Sequence, residues 1–101
     1  MTMLHTVNKS PFERNALDSC LAHVKPGSAV LLIEDGVYGA LKGAATSKKV
    51  AAAMKSVAIY ALQPDLEARG VQGRVLDGIK RVDYGDFVDL AIAHSAVQSW
   101  L

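Results

Sequence analysis

The sequence predicts an α/β domain, a three-layer sandwich with a small, mostly parallel sheet and a Rossmann-like order of elements. Three observations predict it. Apolar runs of strand length alternate along the chain with segments of helical spacing. One run, Ala29-Val30-Leu31-Leu32-Ile33, is apolar without alternation, as expected of a strand covered on both faces. The length of 101 residues, with 50% hydrophobic and 21% charged, allows one globular domain, residues 1–101, and no more. Strand–helix repeats of this kind stack helices on both sides of a sheet of about four strands. A domain this small buries little of its surface alone, so oligomerisation is expected.

Met3 to Val7 reads as the first strand. Ser10-Pro11-Phe12-Glu13 then announces a helix: Ser10 as N-cap, Pro11 at the first helical position and Glu13 completing a capping box. The helix is expected to run to about Val24, where Lys25-Pro26-Gly27 stops it, with Phe12, Ala16, Leu17, Cys20, Leu21 and Val24 on one face. Ala29–Ile33 is the second strand, ended by Glu34-Asp35-Gly36, and a loop holding Gly36, Gly39 and Gly43 follows. Thr46 to Lys55 is a second helix with little bulk in Ala51-Ala52-Ala53. Ser56 to Leu62 is a third strand, Pro64 to Gly70 a short helix closed by glycine, and Val71 to Gly78 a loop. Ile79 to Asp83 alternates like an exposed edge strand. The last helix, capped by Asp83, is expected from Tyr84 to about Val97 with Phe87, Val88, Ala91 and Ile92 facing inward.

Composition excludes several function classes. A formal charge of +1 supplies no basic field for nucleic acid. One cysteine precludes an intramolecular disulfide, and with three scattered histidines it cannot build a cysteine-rich zinc site. No apolar stretch approaches the roughly 20 residues that span a bilayer, and the first residues lack a basic n-region with an apolar h-region. A reduced, cytoplasmic setting is the expectation.

In open α/β sheets ligands bind beyond the carboxyl ends of the strands. That rim holds Asn8-Lys9-Ser10, Glu34 to Gly39, Gln63-Pro64-Asp65 and Asp83-Tyr84. The glycines at 36, 39 and 43 match neither phosphate-binding fingerprint, and no lysine follows the last of them. Glu34 and Asp35 are adjacent carboxylates; neighbours on a strand point to opposite faces, so one is expected to cap a turn while the other faces water. His5 reads as a core or interface histidine held by one hydrogen bond, and His94 as a helix-end residue suited to the dipole. The aromatics are spread out, and Trp100-Leu101 forms an apolar tip expected to be buried against the body or a partner. Cys20 is the one nucleophile of interest. It is either a small buried hydrophobe or a reactive thiol with His23 and Asp18 on the same helix surface; its distance from the helix N-terminus denies it the field that lowers a thiol pKa.

Four strings in order resemble the DsrH/TusB family of sulfur-relay proteins. They are Met3 to Pro11, Leu31 to Val37, Tyr60-Ala61-Leu62 with Asp65 to Gly70, and Val82 to Val88, with the tryptophan near the end. The resemblance implies the smallest of three related subunits in a heterohexamer, alongside DsrE/TusD-like and DsrF/TusC-like sisters. It implies relay of persulfide sulfur to a DsrC/TusE-like acceptor, with no cofactor, no membrane and no direct contact with nucleic acid. The principal active cysteine of such complexes resembles a residue of the DsrE/TusD subunit. A cysteine in this helix is typical of the DsrH branch, which points to cytoplasmic sulfur oxidation with Cys20 as sulfur carrier. The alternative is a TusB-like structural subunit of a complex for 2-thiouridine at the tRNA wobble position, with no chemistry on this chain.

Overall fold

The computed structural model describes residues 2–101. Five parallel strands form one sheet in the order β4-β3-β2-β1-β5: β1 Met3–Val7, β2 Ala29–Leu32, β3 Ala58–Leu62, β4 Lys80–Val82 and β5 Ala96–Trp100. Between them run α1 Ala16–His23, α2 Ser47–Ala53, α3 Gln63–Ala68 and α4 Tyr84–Ala93. Every connection joins parallel strands, so each must cross over a face of the sheet. The first three step one way from β1 to β4; the fourth returns past β1 to place β5 on its far side.

Two cores result. On one face Val7, Val30, Leu32, Ile59 and Ala61 pack against Leu17 and Cys20 of α1, Val50 of α2 and Leu66 of α3. On the other, Leu4, Ala29, Leu31, Leu62 and Val82 are covered by Phe87, Leu90 and Ala91 of α4. All of β2 is buried, which is why its sequence shows no alternation. Each fully buried leucine or valine contributes about 1.5–3 kcal/mol, so these two layers carry the fold.

The three-layer parallel sandwich is as the sequence predicts; several boundaries are not. The first helix begins at Ala16, because Ser10 Oγ accepts from the Phe12 N–H and the Ser10 carbonyl accepts from Glu13 and Arg14, closing a turn that the helix does not continue. Glu34–Ala40 is a 3-10 helix instead of an open loop. Its approach is close: a Cβ at Gly36 would run into the Val7 carbonyl, and one at Gly39 would come 2.7 Å from Leu17 Cδ2. The largest correction is at the end of the chain. The last helix stops at Ala93, and residues 96–100 form a fifth strand in register with β1, from Met3 opposite Ala96 to Val7 opposite Trp100. Asp83 does cap α4, in a capping box with Asp86. Val88 and Ile92, expected inward, are exposed, because the apolar arc of α4 is wider than the strip it lays on the sheet.

Candidate functional site

At the carboxyl end of the sheet, the acidic groups noted in the sequence are tied into structure. Arg69 donates from Nε (2.9 Å) and Nη2 (2.8 Å) to Asp35 Oδ1, fastening the 3-10 helix to α3. Asp65 Oδ2 accepts the Glu34 N–H at 2.7 Å, holding Glu34 at φ +49°, a conformation that favours glycine or asparagine. Glu34 and Asp35 therefore do not converge on a vacant site. Asp35 is neutralised by a guanidinium, and the Glu34 side chain projects into solvent. Among the described residues, no group of three or more His, Cys, Asp or Glu could hold a metal ion.

Cys20 sits on the inner face of α1 and is 0% exposed, surrounded by the first core. Burial pushes its thiol up to about 12, the direction opposite to that of a reactive cysteine. The two neighbours that sequence spacing offered are turned elsewhere. His23 donates from Nδ1 to the Ser19 carbonyl at 2.7 Å, and Asp18 pairs with Lys49 at 3.2 Å. A thiol in this place is shaped like a core side chain.

Two of the three histidines, His5 and His23, lie instead against Trp100. Its indole Nε1–H donates to His5 Nδ1 at 3.0 Å, and its ring lies 5.6 Å from that of His23 at 34°. His5 is buried and held by one hydrogen bond, as expected; desolvation lowers its pKa. His94, at the C-cap of α4, bonds through Nδ1 to Thr2 Oγ1 at 3.0 Å. Trp100 is half-buried and Leu101 is exposed, so the apolar tip divides: tryptophan packs inward and leucine faces out. Sequence reasoning missed the His5–Trp100 pair because it ended the last helix in this stretch. The alternation Val97-Gln98-Ser99-Trp100 is the strand signal that reveals it.

A family model described as DsrH like protein matches residues 9–97. Protein TusB of Pectobacterium parmentieri is 37% identical over 98 residues, spanning 97% of this chain and 100% of that protein. Protein TusB of Shigella flexneri matches at the same identity and over the same shares. Among solved structures, the ychN protein from E. coli superposes with a TM-score of 0.80 at 13% identity, over 98% of each chain. MTH1491 of Methanobacterium thermoautotrophicum, a protein of unknown function, gives 0.73 at 16% identity over 96% of this chain and 97% of its own. At those identities the structural likeness is one of fold.

Proposed function

The chain belongs to the DsrH/TusB family, and from that membership we propose that it is a structural subunit of a cytoplasmic sulfur-relay complex. It completes an assembly with DsrE/TusD-like and DsrF/TusC-like sisters, while the sulfur rides on a cysteine of a sister subunit. The pathway served is the TusB one, ending in 2-thiouridine at the tRNA wobble position; the relatives from Pectobacterium and Shigella flexneri bear that name. The observation that carries the structural role is the burial of Cys20, with His23 and Asp18 bonded elsewhere and, among the described residues, no base or cation turned toward it. A persulfide carrier must offer a thiolate to a donor sulfur and then present the loaded sulfur to an acceptor. A thiol under the sheet-facing side of α1 offers neither. Need for partners is supported by the outer stripe of α4, where Tyr84, Val88 and Ile92 recur every four residues and all are exposed.

The competing reading makes Cys20 a carrier within a DsrEFH-type complex that passes sulfur to a DsrC/TusE-like acceptor in sulfur oxidation. It is favoured by the presence of a cysteine in this helix, and it requires α1 to leave the core during transfer. Intact-mass spectrometry of the co-expressed complex after exposure to a persulfide donor separates the two. Sulfur is expected on a sister subunit and not on this chain; a sulfur adduct here that disappears in Cys20→Ala sinks the structural reading. Deleting the gene is expected to abolish wobble-uridine thiolation, and unchanged tRNA would refute the assigned pathway.

A further inference from the structure

A cleft of about 330 Å³ opens between the amino-terminal half of β1, the last turn of α1 and the edge strand β5. Small-molecule clefts begin near that size, about 300 Å³. At its base lies His5, 5% exposed. The indole of Trp100 can only donate, so His5 Nδ1 accepts and the single proton of the neutral ring sits on Nε2. That Nε2–H has no hydrogen-bond partner among the described residues, although the ring lines the cleft. Open to the cleft and unpaired within the protein, that N–H is a donor that an acceptor bound there would meet. The remaining walls set the character of that acceptor. Met3 and Trp100 are apolar; Lys25 brings a positive charge and Gln98 an amide; no acidic side chain lines the space.

We propose that this cleft binds a small carboxylate carried on an apolar body. One carboxylate oxygen accepts from His5 Nε2–H, Lys25 answers the charge, and the body lies against Trp100 and Met3. The His5 Nε2–H and the Lys25 ammonium offer a monoanionic carboxylate one donor for each of its oxygens. The inference stands apart from the sulfur-relay reading, since it does not use Cys20.

The test uses the co-expressed complex labelled with 5-fluorotryptophan, the Trp100 fluorine signal being assigned by its loss in Trp100→Phe. Benzoate is titrated as the probe, with benzamide as its neutral counterpart. A saturable shift of the Trp100 signal with benzoate, at least tenfold weaker with benzamide, is expected. His5→Asn keeps an oxygen where Nδ1 accepts from the indole but removes the second nitrogen, and it is expected to weaken benzoate at least tenfold. Lys25→Ala, an exposed position with no role in the core, is expected to weaken benzoate several-fold and leave benzamide unchanged. No saturable shift in the assembled complex, or equal binding of acid and amide, overturns the proposal. Equal benzoate binding by wild type and a folded His5→Asn does so as well.

Discussion

Burial of Cys20 can be tested through its reactivity as well as through its sulfur content. The thiol has an ordinary value of 9.0 and is pushed up to about 12, so at neutral pH its thiolate fraction falls about a thousandfold. Access falls further, because the sulfur is 0% exposed and reagent must wait for α1 to open. As the one cysteine of the chain, it can be followed by mass alone. In the native complex, alkylation of Cys20 by iodoacetamide is expected to be at least a thousandfold slower than in denaturant, whatever happens on the sister subunits. Substitution adds a second reading. Cys20→Ser places a hydroxyl among apolar side chains, at a cost of about 1–3 kcal/mol. Cys20→Ala removes one heavy atom and costs about 1 kcal/mol. A packing role therefore makes alanine milder than serine, and leaves sulfur transfer by the complex intact in the alanine variant. A chemical role makes both variants inactive alike. Native-state alkylation within tenfold of the denatured rate, or loss of transfer in a folded Cys20→Ala complex, would refute this reasoning.

Other perturbations follow from named contacts. Gly36→Ala drives a methyl group into the Val7 carbonyl, so the 3-10 helix must lift from the end of β1; a loss of about 3 kcal/mol or more is expected in urea denaturation. Arg69→Ala frees Asp35 and unfastens the 3-10 helix from α3; the pair is partly solvent-screened, with Asp35 half exposed, so about 1 kcal/mol is expected, with faster amide exchange at 34–40. Stability should also depend on pH through His5. Its folded pKa is lowered, so the unfolded chain binds a proton first as pH falls through its ordinary 6.5. The contribution is complete above that value and is lost progressively below it, down to the folded pKa. His5→Phe, which cannot titrate, should flatten that part of a melting-temperature profile; an unchanged slope would count against the assignment.

Much of the architecture was legible because two periodicities do not overlap. The unbroken apolar run of β2 requires cover on both faces, and that requirement alone implies the sandwich. Asp83 was readable as a cap because capping is a local hydrogen bond, and local bonds leave local signatures. Ser10-Pro11-Phe12-Glu13 shows the limit of that logic. The Ser10 half of its capping chemistry is present, without a returning bond from Glu13, and it closes a turn, since Phe12 finds no core beneath it and is exposed. The strand β5 was hidden for a related reason. Ala93 and Val97 are four apart and extend the apolar spacing of α4, so only pairing with β1, distant by more than ninety positions, decides for strand. The candidate site suffered most from this. His5 and Trp100 are 95 residues apart in sequence, and no spacing rule connects them.

The two edges of the sheet are built to different standards, and the difference bears on assembly. β4 is three residues long and carries Lys80 and Arg81, both exposed, which discourages a further strand from joining it. β5 is five residues long, straight in register with β1, and holds no charge or proline between Ala96 and Trp100. Such an edge is a liability in a solitary protein. The layer above it is also incomplete. Five strands span about 19 Å, whereas one helix covers about 10 Å. With α4 laid over the β2–β4 side, Val97 remains half exposed, and the stripe of Tyr84, Val88 and Ile92 is left on the flank of the helix. Unguarded edge and uncovered layer lie on the same side of the sheet, where a partner subunit would satisfy both. On the opposite face α1, α2, α3 and the 3-10 helix close the core around Cys20, the cleft at His5 and Trp100 lying to its β5 side, and that local cover is what buries the thiol.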